Sequence, residues 1–294
     1  MTAPVHASHP NREQRMARLR PLLACPHCGG RLEFSQEMVH CKACAADYPI
    51  RNGQIRFVGD LEADDPLDSL KARLKRRLGS WYYRVGITLF APTYPFNYRK
   101  AVCQLLDPKQ QVVVDIGCGN HRIDPDIVTL DLFPYEHVDL VCDLTRLPFR
   151  PDSVDAFVSR SALEHVPKLK QVVEQLKLST CPGGLGIHLI PFLYPFHASP
   201  HDYQRLTHIG AAELFEPWEV VEQRNATGPV TLLLLVLIEF LSVILSFGSS
   251  RLRAYLGLVL PVLLFPIKFL DAPFVGRRAF LGMAPSILTT VRKP

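Results

Sequence analysis

Residues 112–119 read Val112-Val113-Val114-Asp115-Ile116-Gly117-Cys118-Gly119, and this stretch decides the fold of the largest part of the chain. Consecutive β-branched residues with polar neighbours are typical of a buried parallel strand. The glycines that follow allow a sharp turn and a close approach of the backbone to a ligand. Because ligands of open α/β sheets bind beyond the carboxyl ends of the strands, the stretch predicts a ligand-binding loop. It is not GxGxxG and lacks a P-loop lysine, which argues against pyrophosphate as the ligand.

Four further strand-and-turn segments continue this pattern toward the C-terminus. A second strand over residues 127–130 ends in Asp131, and a third over 138–141 is followed by Asp143. A fourth strand is predicted within residues 152–159, and a helix over 168–180 then leads to a fifth strand over 185–190. Strands that alternate with turns and helices in this order predict an α/β fold with a largely parallel sheet.

The order of these segments resembles the class I S-adenosylmethionine-dependent methyltransferases, most of all their type 11 branch. Asp115-x-Gly117-x-Gly119 is similar to motif I of that family, and Leu163-Glu164-His165-Val166 is similar to its "LEHV" segment. The resemblance implies a Rossmann-like seven-stranded sheet that binds S-adenosyl-L-methionine. The sequence departs from the family in two places. Cys181 stands where the family's Lys-Pro-Gly-Gly turn has lysine, and the link from Asp115 to Asp131 has room only for a turn or a stunted helix.

The same resemblance assigns residues to the cofactor. Asp131 would accept hydrogen bonds from the ribose hydroxyls, since a carboxylate at the end of the second strand has free lone pairs for them. Asp143 and its neighbour Leu144 would lie against the adenine amino group. The full set of expected cofactor-binding residues is Asp115, Gly117, Gly119, Asp131, Asp143, Leu144 and Ser159.

Two CxxC pairs near the N-terminus predict a structural metal site. Twelve residues separate the pairs, whose members are Cys25, Cys28, Cys41 and Cys44. Four thiolates form the closed tetrahedral ligand set that structural Zn²⁺ prefers. The turn Asn52-Gly53 between two apolar runs predicts a hairpin in the same module. Residues 21–58 resemble the Trm112-like zinc ribbon, a small domain that accompanies methyltransferases.

A loop rich in proline, aromatic residues and histidine follows the fifth strand, over residues 191–207. It resembles a signature found in a subset of these enzymes. The expected catalytic residues are His197 or His201 as a base, Asp202 to orient it, and His165 near the methyl donor. Arg205 would hold an anionic acceptor or a carboxylate of the fold. The alternative is a loop that a Tyr203 and Arg205 network locks in place.

An apolar insert separates the sixth strand, expected over 217–224, from the last, expected over 287–293. Residues 231–247 contain one charge, Glu239, and residues 254–270 form a second apolar stretch, so we expect a helical hairpin. Each stretch is near the lower limit for spanning a bilayer. A spanning hairpin would place Arg251 and Arg253 on the outside, against the positive-inside tendency. A re-entrant or interfacial hairpin is favoured over a buried dimer or lid element, and membrane association is expected through residues 229–275.

The chain of 294 residues divides into six segments on these grounds. Residues 1–20 are expected to be a flexible tail, 21–58 the zinc ribbon, and 59–110 a helical linker or cap that contains a basic amphipathic helix over 67–78. The methyltransferase core covers 111–228, the apolar hairpin 229–283, and the final strand of the core 284–294.

Three functions are compatible with this organisation. The favoured one is methyl transfer at a membrane surface, on the cytoplasmic side, to an acceptor that is lipid-linked or glycan-related. The scattered single cysteines and the absence of a signal peptide support a reducing compartment. The alternatives are a ribosomal or transfer RNA methyltransferase that reads RNA with its ribbon, and a non-catalytic binding protein with this fold. The net charge of +5 is too modest to favour nucleic acid, and a homodimer stays open.

Overall fold

The computed structural model describes residues 10–59, 88–197 and 201–294. The basic amphipathic helix expected over 67–78 lies outside the described residues. The chain begins with helix α1, Pro10–Leu19, and a 3₁₀ turn at Arg20–Leu22. The ribbon then forms four short strands, β1 (Leu32–Phe34), β2 (Met38–Cys41), β3 (Asp47–Arg51) and β4 (Gln54–Arg56).

The core contributes the remaining strands of the sheet. They are β5 (Val113–Ile116), β6 (Val128–Asp131), β7 (Leu140–Val141), β8 (Val154–Arg160), β9 (Thr180–Pro191), β10 (Glu219–Asn225) and β11 (Ser286–Arg292). The spatial order of these seven strands is β7-β6-β5-β8-β9-β11-β10. The strands from β7 to β9 are parallel, whereas β11 pairs antiparallel with both β9 and β10. The predicted seven-stranded Rossmann-like sheet is therefore confirmed.

Besides the single turn Thr88–Phe90, five longer α-helices complete the described part of the core and the insert. They are α2 (Tyr98–Cys103), α3 (Leu169–Ser179), α4 (His208–Leu214), α5 (Pro229–Ile244) and α6 (Ser250–Leu264). Helix α3 presents an apolar face at helical spacing, and its buried residues include Leu169, Val172, Val173 and Leu176. These side chains pack in one cluster with the central strands, so the sheet is held from this face by hydrophobic burial.

The zinc ribbon is a direct extension of the core sheet, which the sequence did not predict. Strand β4 pairs in parallel with the edge strand β7, and the sheet thereby grows to eleven strands. The amide of Ile55 donates to the Asp139 carbonyl at 3.1 Å, and the amide of Phe57 donates to the Val141 carbonyl at 2.8 Å. The predicted hairpin is present, with Asn52 and Gly53 at φ 53° and 75° between β3 and β4. The ribbon therefore covers a sheet edge that would otherwise expose unpaired backbone groups.

The prediction of a flexible tail over residues 1–20 is wrong from Pro10 onward. Helix α1 buries Met16 and Leu19 in the same core cluster as the ribbon and the sheet. Arg15 makes two hydrogen bonds to the buried carboxylate of Asp139, at 3.1 and 2.9 Å. Arginine-rich composition suggested a solvated segment, but these guanidinium groups are partners of an acidic residue more than a hundred positions away.

The stunted link between β5 and β6 is a loop closed by one side chain. Arg122 donates to the Ile127 carbonyl at 2.6 Å and to Thr129 Oγ1 at 2.9 Å, and it also pairs with Asp139. Residues 117–127 contain no helix. Arg122 therefore fixes this link to the start of β6 and to the segment before β7, where the family usually has a helix.

The apolar insert forms the predicted helical hairpin from α5 and α6. Helix α5 buries one face, which includes Leu234, Leu235 and Ile238, whereas α6 has no buried residue. A 3₁₀ segment, Phe265–Asp271, continues α6 and returns to the body of the protein. Among the described residues, one helical run is long and apolar enough to cross a membrane: Ser250–Asp271, with a mean hydropathy of 1.7 and 11% of the window buried.

Candidate active site

The turn after β5 has the conformation that its glycines were expected to provide. Gly117 and Gly119 adopt φ angles of 63° and 59°, which side chains rarely tolerate. A Cβ atom on Gly117 would lie 2.5 Å from Ala162 Cβ, because the loop after β8 packs on this turn. No atom lies within 4 Å of the position a Cβ would take on Gly119, so the turn faces open space there. Strands β6 and β8 flank β5 on opposite sides, and the turn lies between them at the carboxyl end of β5. Sheets of this kind bind ligands in the crevice at this position.

Asp131 ties this turn to the next strand. One carboxylate oxygen accepts a hydrogen bond from the Gly119 amide at 2.8 Å, and the other accepts from the Phe133 amide at 3.0 Å. Burial raises the pKa of Asp131, while these backbone amides oppose the rise. Each carboxylate oxygen has a second lone pair. The arrangement thus fits two ribose hydroxyls.

The other expected cofactor residues lie on both sides of Asp131. Asp143 is exposed just beyond β7, and its carboxylate accepts from the Thr145 amide at 2.8 Å, while Leu144 is buried beside it. Asp115 is buried within β5, and burial raises its pKa well above the usual range. An acidic and apolar pair at the end of β7 fits an adenine ring, whereas the Asp115 side chain is buried in the sheet.

Ser159 departs from its predicted role as a cofactor ligand. Its residue is 0% exposed, and its hydroxyl lies 2.9 Å from His188 Nδ1 on the neighbouring strand β9. Its carbonyl accepts a hydrogen bond from the Tyr98 hydroxyl at 2.8 Å. The side chain faces the same side of the sheet as Phe157, opposite to α2, because alternate residues of a strand face opposite sides and it is Val158 that packs with α2. Ser159 is therefore a structural residue.

A cavity of about 360 Å³ lies next to the turn, beyond the carboxyl ends of β8 and β9. Its walls come from the 91–96 segment, the strand ends, the loop after β9 and the base of the apolar hairpin. They include Tyr94, Phe96, Arg160, Tyr194, His197 and Thr227. Ser161, which also lines the cavity, adopts a φ of 51°, an uncommon conformation for a non-glycine residue. The cavity combines aromatic walls with one arginine and one histidine.

Arg205 and Asp202 lock the loop that carries His197. Arg205 makes a two-pronged ion pair with Asp202, and it donates to the Tyr194 carbonyl at 3.1 Å and the Pro195 carbonyl at 3.2 Å. The ion pair with Arg205 lowers the pKa of Asp202 to about 2. Asp202 also accepts from the His197 amide at 2.9 Å. Arg205 therefore holds the loop in place, as the alternative interpretation of this loop expected. Asp202 positions His197 through the hydrogen bond to its backbone amide and through its proximity to the imidazole ring.

The expected histidines separate into two environments. His165 and His197 lie together, with ring centroids 5.1 Å apart, whereas the exposed His201 lies beside Tyr203 at 5.7 Å. His201 reaches the site only through its carbonyl, which contacts His165 Nδ1 at 2.5 Å. Burial lowers the pKa of His197, so its ring is neutral and has a lone pair at ordinary pH. Of the predicted catalytic residues, His197, His165 and Asp202 are brought together, and the ring of His201 is not.

Sequence reasoning missed Glu164 as a site residue. This side chain lies between the two histidines, with Oε1 at 3.7 Å from His165 Nε2 and 3.8 Å from His197 Nε2. Its residue is 1% exposed, and burial raises its pKa to about 7. The only available signal was its position next to His165 in the "LEHV" segment. Glu164 sits on the 3₁₀ turn Leu163–His165, which turns the carboxylate inward.

The four ribbon cysteines form the expected metal centre. Their Sγ atoms all lie within 4.8 Å of one another, with Cys25 to Cys44 at 3.7 Å and Cys28 to Cys41 at 3.5 Å. Tetrahedral Zn²⁺ with bonds of about 2.3 Å needs sulfur atoms roughly 3.8 Å apart. A Cβ on Gly30 would lie 2.6 Å from Ala43 Cβ and 3.1 Å from Cys28 Sγ, so this knuckle admits only glycine. The site fits structural zinc.

Comparisons with known proteins agree with both parts of the chain. A family model described as a methyltransferase domain matches residues 114–187, and one described as Trm112p-like protein matches residues 17–53. No curated protein matches the chain in sequence.

Three solved structures illustrate the likeness of the fold. A phosphoethanolamine N-methyltransferase 2 of Haemonchus contortus with bound S-adenosyl-L-methionine is 17% identical at a TM-score of 0.47, covering 80% of this chain and 61% of that one. A chain of the complex between the Haloferax volcanii Trm112 methyltransferase activator and a methyltransferase is 19% identical at 0.44, covering 79% and 100%. The Burkholderia thailandensis 1,6-didemethyltoxoflavin-N1-methyltransferase is 14% identical at 0.41, covering 87% and 99%.

The sheet order, the glycine turn with its paired carboxylates, and the two family matches lead to one conclusion. The chain contains a methyltransferase domain with a Rossmann-like sheet, and a Trm112-like domain with four cysteines that fit structural zinc precedes it.

Proposed function

We propose that this enzyme methylates a lipid-linked or glycan-related small molecule at the cytoplasmic surface of a membrane. The observation that carries the proposal is an apolar hairpin whose outer face is left exposed by the part of the chain that the structure describes, placed beside the acceptor cavity. Helix α5 turns Leu233, Val236, Leu237 and Phe240 outward, and all four are exposed. These residues recur at helical spacing and form one continuous apolar stripe. An exposed stripe of this kind indicates contact with a membrane or another apolar surface.

The anchors at the base of the hairpin favour a membrane-lying element over a spanning one. Asp271 accepts hydrogen bonds from the amides of Val230 and Thr231, at 2.8 and 2.7 Å, and so caps the first turn of α5. The buried Lys268 donates to the carbonyls of Leu89 and Ala91 at 2.7 and 2.9 Å. The end of the apolar run Ser250–Asp271 is thus fixed in the protein.

The free length of the hairpin leads to the same interpretation. Helices α5 and α6 have 16 and 15 residues, or about 24 and 22 Å at 1.5 Å per residue. The hydrocarbon core of a bilayer is about 30 Å thick, so α5 does not reach across it, and α6 reaches that length only together with the 3₁₀ segment Phe265–Asp271. Arg251 and Arg253 lie at the turn between the helices, and Arg253 pairs with Glu239 across the hairpin. The basic turn suits anionic lipid headgroups if the hairpin lies along the surface.

The cavity supports an acceptor that approaches from the hairpin side. Thr231, in the first turn of α5, accepts a hydrogen bond from the Tyr94 amide at 3.0 Å, and Tyr94 lines the cavity. Thr227 also lines it, immediately before α5 begins. A molecule held in the membrane surface by its lipid part would therefore have its head group close to the cavity. Arg160 would attract a phosphate or carboxylate on that head group.

The chemistry asked of the protein is mainly alignment. S-adenosyl-L-methionine supplies an activated methyl group, which an acceptor atom takes by in-line displacement. The glycine turn and Asp131 would hold the donor, and Asp143 with Leu144 would bind its adenine. The acceptor would lie between Arg160 and His197, so that one reacting atom faces the donor. Holding both reactants in this geometry accounts for most of the expected rate.

A labelled-methyl assay on fractionated cells tests the proposal. Full-length protein is incubated with radiolabelled S-adenosyl-L-methionine and separated lipid, glycan, RNA and protein fractions, and label is expected in the lipid or glycan fraction. Label in RNA would overturn the proposal in favour of the RNA methyltransferase. Calorimetry with S-adenosyl-L-methionine accompanies the assay, because absence of donor binding would indicate a non-catalytic binding protein.

Flotation with liposomes tests the membrane part separately. The full chain is expected to float with vesicles that contain anionic lipid and to sediment without them. The proposal would be contradicted if the protein did not float with the vesicles and formed a monodisperse dimer in their absence. That result would indicate that a second copy covers the hairpin.

A further inference from the structure

We propose that Glu164, His165 and His197 bind a divalent transition-metal cation, separate from the ribbon zinc, at the wall of the acceptor cavity. Their Oε1 and Nε2 atoms converge within 4.8 Å of one another. Two histidines and one carboxylate are a ligand set that binds first-row metals and leaves coordination positions open. Binding of the cation does not depend on the proposed acceptor, although its use in the reaction rests on the proposed function.

Glu164 provides the first argument. It lies on a buried turn, and neither of its carboxylate oxygens accepts a hydrogen bond from another residue that the structure describes. Removing an ionised carboxylate from water without a partner is costly, and buried charges are normally paired or bound to a metal. The nitrogen atoms Nε2 of His165 and His197 lie 3.7 and 3.8 Å from Glu164 Oε1, too far for hydrogen bonds. A cation between these atoms would satisfy the carboxylate.

The hydrogen bond of His165 provides the second argument. Its Nδ1 lies 2.5 Å from the carbonyl oxygen of His201. A carbonyl oxygen only accepts hydrogen bonds, so Nδ1 carries the proton and Nε2 of the neutral ring carries a lone pair. This lone pair faces Glu164 Oε1, which is also an acceptor when ionised. Two acceptors that face each other imply a proton or a metal between them. A carbonyl bonded to the remote nitrogen is also the usual support of a metal-binding histidine.

His197 completes the ligand set from the opposite side. Its Nδ1 lies 3.6 Å from Asp202 Oδ2 and 3.4 Å from Arg205 Nη2. When the proton is on Nδ1, directed to the Asp202 carboxylate, the lone pair of the ring is on Nε2. Its Nε2 points to Glu164. The backbone of His197 is fixed by the Asp202 carboxylate, and Arg205 locks that carboxylate. The loop therefore presents Nε2 in one position, as a preorganised metal site requires.

The spacing fits metal coordination better than direct hydrogen bonding. Ligand atoms on one transition metal are about 3–4 Å apart, because each bond is about 2.0–2.2 Å long. The carboxylate-to-nitrogen distances of 3.7 and 3.8 Å fall in this range. His197 also lines the acceptor cavity. An open coordination position on this side would take an oxygen atom of the acceptor, such as a hydroxyl or phosphate oxygen, and orient it.

Manganese titration of the zinc-loaded full chain tests the inference. Mn²⁺ prefers oxygen and nitrogen ligands and does not compete for a four-thiolate site, so it reports on this cluster alone. Electron paramagnetic resonance follows the loss of the free Mn²⁺ signal, and we expect one Mn²⁺ per chain. Pulsed spectra of the bound ion are expected to show coupling to histidine nitrogen.

Matched variants locate the site. Glu164→Gln keeps the shape of the side chain and is expected to weaken Mn²⁺ at least tenfold, as is His197→Ala. Glu174→Gln is the control, because this exposed carboxylate on α3 pairs only with Lys177 in the described chain, and it should bind Mn²⁺ like the unaltered protein. Thermal unfolding of each variant shows whether it folds. A folded Glu164→Gln protein that binds Mn²⁺ as tightly as the control would overturn the inference, as would an unaltered chain that binds neither Mn²⁺ nor a second Zn²⁺.

Calorimetry with S-adenosyl-L-methionine on the same samples separates the two proposals. Donor binding without Mn²⁺ binding would remove the metal site and leave the methyltransferase function intact. Mn²⁺ binding without label transfer to any acceptor fraction would support the metal site and count against the proposed function.

Discussion

The ribbon and the apolar hairpin are both additions to the same sheet, one at each side, and they are held in opposite ways. The ribbon joins the β7 edge by backbone hydrogen bonds and shares a hydrophobic core with the central strands. The hairpin leaves the sheet between β10 and β11, at the other edge, and is fixed mainly at its base. The apolar residues of the ribbon are largely covered by protein, whereas those of the hairpin are largely exposed.

This difference indicates what each addition does. The ribbon covers a sheet edge and shares the hydrophobic core, so its interactions stabilise the folded protein. The hairpin leaves apolar surface uncovered in water, at a cost of about 25 cal/mol per Å² relative to burial. Such a surface is retained where another apolar phase covers it. The comparison therefore assigns stability to the ribbon and supports the proposal that the hairpin lies on a membrane.

Loss of the ribbon metal is expected to have the largest effect. Cys41→Ser removes one buried thiolate, and structural zinc contributes about 10 kcal/mol or more to the folding of small modules. The ribbon should unfold, and because β4 pairs with β7, the amides of Ile55 and Phe57 should lose their protection from hydrogen exchange. Cys103→Ser, an exposed single cysteine, is the control and should change neither zinc content nor protection. Protection that persists in zinc-free Cys41→Ser protein would show that the edge pairing stands without the metal.

Asp139→Asn is expected to cost about 3–5 kcal/mol, because it leaves buried guanidinium groups without their anion. Asp139 is fully buried and accepts hydrogen bonds from Arg12, Arg15 and Arg122. Burial opposes its ionisation, but the hydrogen bonds from Arg15 and the charge of Arg122 prevail and hold its pKa below the usual range. Urea unfolding monitored by circular dichroism measures the loss.

The pH dependence of this ion cluster has a defined sign. A carboxyl group whose pKa is lowered on folding stabilises the protein above its unfolded pKa of about 3.9, and this stabilisation is lost as the pH falls through the folded value. The difference in unfolding free energy between the unaltered protein and Asp139→Asn should therefore be constant at neutral pH and shrink below about pH 4. A difference that grew in acid would contradict the assignment of an ionised Asp139.

A charge introduced into the exposed apolar stripe of helix α5 is expected to weaken membrane binding. This effect is smaller than the two losses of folding stability above. Phe240→Glu removes an exposed apolar side chain whose burial in lipid is worth about 1.5–3 kcal/mol, so vesicle affinity should fall at least tenfold. Leu178→Glu, an exposed leucine on α3, is the matched control and should leave vesicle affinity unchanged. Liposome co-sedimentation measures both. Equal vesicle affinity of the two variants would contradict the proposal that the hairpin, in contrast to the ribbon, binds the membrane.

The ion pair inside the hairpin should matter least in water. Glu239 and Arg253 are both about half exposed, and exposed pairs contribute about 0–1 kcal/mol. Arg253→Ala is therefore expected to change the unfolding free energy in buffer by less than about 1 kcal/mol. A larger loss in buffer would mean that the hairpin is folded tightly onto the protein in water.

Most elements and half of the site were predictable, because their signals are local. Valine repeats with a glycine turn predicted β5 and its loop, and the two CxxC pairs predicted the metal centre. Asp131 was predictable from its place at a strand end. Ser159 was assigned wrongly, because a strand residue faces one of two sides and only the pairing of β8 with β9 shows that it meets His188. Glu164 was missed because its significance depends on a histidine 33 positions later in the chain.

By itself, the sequence determined the methyltransferase-like order of the strands along the chain, the ribbon cysteines and the hairpin, since periodicity, turn residues and ligand spacing act over a few positions. The tertiary structure alone decided that β4 extends the sheet at β7, that α1 docks on Asp139, and that Glu164 lies between two histidines. These contacts join residues far apart in the chain. Their energy comes from burial and from charge pairing that no local pattern encodes.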